Sequence, residues 1–308
     1  MPTVIKPKAL RRGDLIGVCA PAGPALAEGD LQKGVRYLEQ LGYRVVLSPH
    51  VLRRRGYLAG TDRDRADDLM GLFANPQVKA IIALRGGYGT QRILPLLDFN
   101  AIRKNPKIVV GYSDLTALSL ALYAKARLVT FAGPMVAAEL ARGLTGVAEE
   151  YFWRCLTSTK PLGTFPGPSS MFRKGRSEGR ILGGNLSLVA AMAGTPFFPS
   201  FDKTLLLLEE IGERPYRIDR MLQQLALAGA WKSSSGILLG TFVECGAEKG
   251  KPSLTLAEVF DDTFSDFPRP IVSDLHHGHV RQSLTIPIGV LARIQNSRNL
   301  NILESAVG

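Results

Sequence analysis

Cysteine is scarce in this sequence, and the three residues present, Cys19, Cys155 and Cys245, lie far apart. An odd number at such separations fits neither a disulfide framework nor a zinc knuckle. A reducing compartment, the cytoplasm, is the simple setting. Long apolar runs are also missing. No stretch approaches the roughly 18 residues of a membrane-spanning helix, so no membrane partner is expected. Internal repeats and low-complexity tracts are absent. Histidine is rare too: of four in 308 residues, three crowd into Asp274-Leu275-His276-His277-Gly278-His279. What remains is an ordinary globular composition, 45% apolar and 21% charged, which excludes a disordered chain. The length suits two domains or one large one.

The net charge of +11 raises the question of nucleic acid. Residues 1–156 carry 22 Lys and Arg against 13 Asp and Glu, whereas residues 181–308 carry 11 against 13. The excess is therefore spread along the first half, and only Arg53-Arg54-Arg55 forms a run. A run of three reads as a solvated turn, so no nucleic acid is expected. A small anionic substrate or cell-wall fragment suits the same field.

Near the start, Lys6, Lys8, Arg11 and Arg12 precede Leu15–Ala20, a pattern a signal peptide would share. Asp14 opens the apolar stretch, however, and Pro21, Gly23 and Pro24 break it. A first β-strand ending in a turn fits better. Apolar residues at Leu31, Val35, Leu38 and Leu41 then predict a helix, stopped by Gly42. Thr61 and Asp64 predict the capped start of another, running through Phe73. Strands are predicted at 43–47, 78–84 and 107–110, and a helix at 115–124. This alternation argues for an α/β fold with a parallel sheet covered on both faces. The Pro-, Gly- and Ser-rich residues 161–178 are expected to be a linker. It would separate an N-terminal α/β domain, residues 1–160, from a C-terminal α/β domain, residues 179–308. Strands are expected there at 204–208, 236–240, 270–274 and around 284–286, with a helix near 217–228.

Four segments carry candidate chemistry. In Val110-Gly111-Tyr112-Ser113-Asp114-Leu115, a buried strand runs into a turn and a helix. A serine there sits at the carboxyl end of a parallel strand, where open α/β sheets build their sites. The arrangement resembles a nucleophile elbow without its second glycine; the plainer reading is that Ser113 or Asp114 caps the helix. Arg85-Gly86-Gly87-Tyr88-Gly89 follows another strand and is neither a Walker loop nor a dinucleotide fingerprint. It is a tight turn, or a source of an oxyanion-hole amide beside an elbow serine. The histidine cluster could supply a base for that serine. A metal site from His276, His277, His279 and Asp274 competes with that reading, but no helical His-x-x-x-His or Cys pair supports it, so no metal or other cofactor is expected. Finally, Leu205–Leu208 reads as a strand core with Glu209 and Glu210 at its exit. One carboxylate could orient an imidazole, or both could pair with Arg214, Arg217 or Arg220.

Together these segments resemble the LD-carboxypeptidase family of serine peptidases. The resemblance runs nearly end to end. It is carried by Gly13-Asp14-x-Ile16, Arg85-Gly86-Gly87-Tyr88-Gly89 with Arg92, Gly111-Tyr112-Ser113-Asp114, Gly133-Pro134 and Gly183-Gly184-Asn185-Leu186. It continues through Gly194-Thr195-Pro196, Leu208-Glu209, Pro215-Tyr216-Arg217, Asp219-Arg220-Met221-Leu222 and Gly278-His279 before Pro287-x-Gly289. The resemblance implies a flavodoxin-like N-terminal domain, a smaller α/β C-terminal domain and a homodimer. It also implies a triad of Ser113, Glu209 and His279, with Glu210 as the fallback carboxylate, and oxyanion amides at Gly87 and Asp114. The implied reaction releases terminal D-alanine from murein tetrapeptide. Arginine's planar fork suits a terminal carboxylate, and Arg85 and Arg217 are the candidates. Two alternatives stand beside this. One is a microcin-immunity-like peptidase of the same family. The other is a non-catalytic protein binding muropeptides or nucleic acid.

Overall fold

The computed structural model describes residues 3–27, 29–295 and 300–308. Five strands come from the first half: β1 Leu15–Cys19, β2 Arg44–Leu47, β3 Val78–Ala83, β4 Ile108–Val110 and β5 Thr130–Ala132. Nine follow: β6 Gly163–Thr164, β7 Ser170–Arg173, β8 Ser177–Asn185, β9 Thr204–Ile211, β10 Gly236–Val243, β11 Ile271–Ser273, β12 Ile286–Ile288, β13 Leu291–Ile294 and β14 Leu300–Ile302.

The first sheet has the order β12-β5-β4-β3-β1-β2, with β1 to β5 all parallel. This is the flavodoxin-type strand order with one strand added at an edge. Every residue of β1 is buried, as expected of a strand covered on both faces. Helix Asp62–Ala74 begins on the reciprocal hydrogen bonds between Thr61 and Asp64 that the sequence predicts. It packs Leu69, Leu72 and Phe73 inward.

The second sheet has the order β6-β14-β13-β8-β9-β10-β11-β7. Its centre, β8 to β11, is parallel, and antiparallel strands flank it on both sides. Leu205 to Leu208 form its fully buried core. The two halves meet where helix Thr116–Ala126 packs on β8 and on helix Leu186–Met192. There the Thr116 hydroxyl accepts a hydrogen bond from the Asn185 amide at 3.0 Å.

Two features depart from the expected organisation. The stretch expected as a linker carries β6 and β7, the edge strands of the second sheet. Its Pro and Gly content suits edges, where an amide need not donate to a ladder. In addition, β12 belongs to the first sheet, not the second. It pairs antiparallel with β5, Pro287 opposite Phe131, and the chain then returns to the second sheet as β13.

Candidate functional site

Ser113 follows β4 at the carboxyl end of the first sheet. Its φ of 62° lies in the left-handed region that non-glycine residues rarely adopt. Such a bend turns the hydroxyl out of the strand line. The missing second glycine of an elbow is replaced from another segment: a Cβ on Gly86 would come within 3.0 Å of the Ser113 Cβ. Asp114 points the other way and is buried. Its carboxylate accepts hydrogen bonds from the Thr90 amide at 2.8 Å and the Thr90 hydroxyl, tying the serine turn to the end of the glycine loop. Burial raises the Asp114 pKa, opposed by those Thr90 bonds.

Glu209 and Glu210 occupy successive positions on β9, so they face opposite sides of the sheet. Glu210 turns toward helix Leu186–Met192. It accepts from the Asn185 amide group at 2.8 Å, the Ser187 amide at 2.8 Å and the Ser187 hydroxyl at 2.6 Å. These bonds turn its carboxylate away from His279, to which it contributes charge but no hydrogen bond. Glu209 turns toward the first domain and is 1% exposed. Its Oε2 lies 2.9 Å from His279 Nδ1, and His279 Nε2 lies 2.9 Å from Ser113 Oγ. Residues 113, 209 and 279 thus form one continuous chain of hydrogen bonds across the two halves. Nδ1–H donates to Glu209, which leaves the Nε2 lone pair facing the serine hydroxyl.

The glycine of the Gly-His pair has a physical reason. A Cβ on Gly278 would sit 2.7 Å from Glu209 Oε2. The loop is pinned by the Thr241 amide donating to the His277 carbonyl at 2.9 Å and the Leu275 amide donating to the Leu239 carbonyl at 3.1 Å. Burial works against a charged His279. The hydrogen bond and charge of Glu209, helped by Glu210 and Glu139, outweigh it and raise the His279 pKa above the ordinary histidine value.

The remaining histidines are engaged elsewhere. His277 is buried, with Nδ1 2.8 Å from the Leu284 carbonyl, and burial lowers its pKa. His276 Nε2 lies 3.2 Å from the Arg281 carbonyl. Among the described residues, no group of three or more His, Cys, Asp or Glu could hold a metal ion.

Arg85 is half-buried beside the glycine loop, donating to the Pro24 carbonyl at 3.1 Å. Its guanidinium carbon would lie 3.5 Å from a Cβ on Gly87. Arg217 is exposed on helix Pro215–Leu227, bonded to Tyr216 and Glu213, and makes no hydrogen bond to the triad. A cleft of about 530 Å³ opens beside His279, lined in part by Tyr112, Glu139, Arg142, Ile211 and Arg281.

Two supports escaped sequence reasoning. Arg65 is 1% exposed and donates to the Pro21 and Gly89 carbonyls, so it braces the glycine loop from behind. Its signal was a charge on the helix face that carries Leu69 and Leu72. Tyr112 packs its ring 5.0 Å from the His279 ring and donates to Glu139 Oε1 at 2.8 Å.

Comparison with known proteins decides the family. Residues 16–133 match the profile of the LD-carboxypeptidase N-terminal domain, and residues 178–294 that of the C-terminal domain. The chain belongs to the LD-carboxypeptidase family. It is 38% identical to a probable murein peptide carboxypeptidase of Bacillus subtilis, over 98% of this chain and 95% of that one. Among solved structures it resembles the muramoyltetrapeptide carboxypeptidase of Oxalobacter formigenes. The TM-score is 0.83 and the identity 33%, covering 94% of this chain and 98% of the other. The microcin C7 self-immunity protein, as an active-site mutant in the apo state, superposes with a TM-score of 0.91 at 26% identity. That match covers 99% of this chain and 100% of the other. Membership of the family makes this chain a peptidase with the two-domain α/β fold. No helix among the described residues is long and apolar enough to cross a membrane.

Proposed function

We propose that this chain is a serine-type LD-carboxypeptidase that releases the terminal D-alanine from murein tetrapeptide during peptidoglycan recycling. The observation that carries the reading is the relay from Ser113 through His279 to Glu209, two contacts of 2.9 Å each. As the Ser113 hydroxyl attacks the scissile carbonyl, Nε2 of His279 takes its proton. The buried Glu209 carboxylate holds the ring and stabilises the imidazolium. The amides of Gly87 and Asp114 donate to the tetrahedral oxyanion; one such donor is typically worth about 3–4 kcal/mol. The protonated His279 then gives its proton to the departing amine. Water, activated by the same imidazole, releases the acyl group.

Arg85, partly desolvated behind Gly87, is the better supported partner for the substrate's terminal carboxylate. Arg217 has weaker support, because it is held by Tyr216 and Glu213. We read the working form as a cytoplasmic homodimer. The cysteines, all free and buried, are in keeping with a reducing compartment, and sedimentation equilibrium checks the dimer.

Ser113→Ala in pure protein, assayed by mass spectrometry on murein tetrapeptide, tests the mechanism. Loss of D-alanine release is expected, and unchanged release overturns it. The likeness to the microcin self-immunity protein supports a second reading, in which the same triad cleaves a peptidyl-nucleotide. Parallel assays on both substrates separate the two.

A further inference from the structure

The His279 ring is steadied at three places, and the chemistry above uses only two of them. We propose that Tyr112 is a positioning residue for the second half of the reaction, keeping the imidazole in line while Ser113 carries the acyl group. This role rests on the serine-peptidase reading.

Before attack, two hydrogen bonds hold the ring, Nδ1 to Glu209 and Nε2 to Ser113, each 2.9 Å. Acylation removes the second, because the serine oxygen becomes an ester oxygen with no proton to donate. A ring held at one nitrogen alone can pivot about that bond. Among the described residues one aromatic ring packs on the imidazole, that of Tyr112, with centroids 5.0 Å apart and planes inclined at 57°. This contact involves no serine proton, so it survives acylation.

The Tyr112 ring is itself fixed. Its hydroxyl donates to Glu139 Oε1 at 2.8 Å, and Glu139 Oε2 accepts from the Met135 amide at 3.0 Å. Glu139 stands on the helical turn Val136–Leu140. The Ala137 amide of that turn donates to the Leu84 carbonyl at 2.8 Å, where the glycine loop begins. Burial and the Glu139 charge raise the Tyr112 pKa, so the hydroxyl keeps its proton and stays a donor. The brace thus belongs to the half that carries the first sheet, while Glu209 holds the ring from the second. Supports from opposite halves fix the imidazole without help from the serine.

In the second half of the reaction, water attacks the ester carbonyl as Nε2 takes its proton. The bond from that carbon to Ser113 Oγ breaks, and the oxygen takes the proton back. A displaced imidazole slows this step more than acylation, in which the serine bond still aligns the ring.

The test gives saturating murein tetrapeptide to the wild type and to Tyr112→Leu, quenches in acid and reads the acyl-enzyme by intact-protein mass spectrometry. The adduct gains the mass of the substrate less D-alanine. At steady state the ratio of acylated to free enzyme is the acylation rate divided by the deacylation rate. That ratio is expected to rise about tenfold or more in Tyr112→Leu, with kcat falling further than kcat/KM. Tyr112→Phe keeps the ring and loses only its anchor on Glu139, so a rise of about threefold is expected. A merely structural role slows both steps together and leaves the ratio where it was. A ratio within twofold of wild type in Tyr112→Leu, or no detectable adduct in it, overturns the positioning role and leaves the peptidase reading standing. Should circular dichroism show that Tyr112→Leu does not fold, the same criterion applied to Tyr112→Phe decides. Neither D-alanine nor adduct from the wild type overturns the peptidase reading and this role with it.

Discussion

The two halves of the site hold their residues by different means. On the first sheet, Ser113 is held by backbone geometry: a left-handed φ at the end of a short buried strand, with Gly86 clearing room for it. On the second sheet, Glu209 and His279 are held by burial and side-chain hydrogen bonds, in ordinary strand and loop conformations. On the proposed mechanism, strain aims the serine hydroxyl, while desolvation and pairing set the proton affinity of the imidazole. A lesion on the first side should therefore act through geometry, and one on the second through the pH dependence.

The largest effects come from removing the reacting groups. Ser113→Ala and His279→Ala should each lower kcat by roughly 10⁶-fold, and the double variant should be little worse, because the groups act as a unit. Steady-state rates with a sensitive D-alanine assay check this. Multiplicative losses would contradict a shared relay.

Glu209→Gln should cost about 10⁴-fold in kcat. It should also move the acid limb of the kcat/KM profile. His279 must be neutral to accept a proton, and its pKa is raised in the folded protein, so activity should rise with pH through a value above the ordinary histidine one. Without the Glu209 charge, burial is opposed only by the more distant charges of Glu210 and Glu139, and the limb should move to lower pH. Linkage carries the matching sign: the pairing stabilises the fold fully below the unfolded histidine pKa, and that contribution is lost as pH rises through the folded value. A limb that stays in place would sever Glu209 from the base.

Gly278→Ala should reduce kcat by about 10²-fold, since a methyl at its φ of 122° is strained and would displace the carboxylate that orients the ring. Circular dichroism and kinetics together decide it. Arg65→Met should cost about 1–3 kcal/mol in urea unfolding by removing the guanidinium that donates to the Pro21 and Gly89 carbonyls, the second of which keeps only the Arg92 amide. It should also loosen the glycine loop. The smallest effect isolates the strain itself. Ser113→Gly should be about 1 kcal/mol more stable than Ser113→Ala, because glycine accepts a positive φ without steric cost. Equal stabilities would remove the strain from the comparison.

Much of this was legible in the chain. Ser113 and Glu209 stand at the ends of apolar runs, where a polar residue is conspicuous, but choosing them and choosing His279 from the histidine cluster rested on the family resemblance. Strand parity separates Glu209 from Glu210 once β9 is recognised. The supports were harder to read because they join distant segments. Gln282 reaches Thr145 across 137 positions, and Asp114 reaches Thr90 across 24. Periodicity speaks only of local structure, so it could say neither which sheet a three-residue strand such as β12 would join nor that residues 161–178 form edges.

The excursion of β12 also governs how the molecule can come apart. A cut within residues 161–178 would strip the leading fragment of the strand that closes its β5 edge. That edge would expose bare amides and carbonyls to aggregation. Melting the trailing half must likewise withdraw a strand from its neighbour. The two halves should therefore lose structure in a single calorimetric transition, and separately expressed pieces should regain solubility only when mixed.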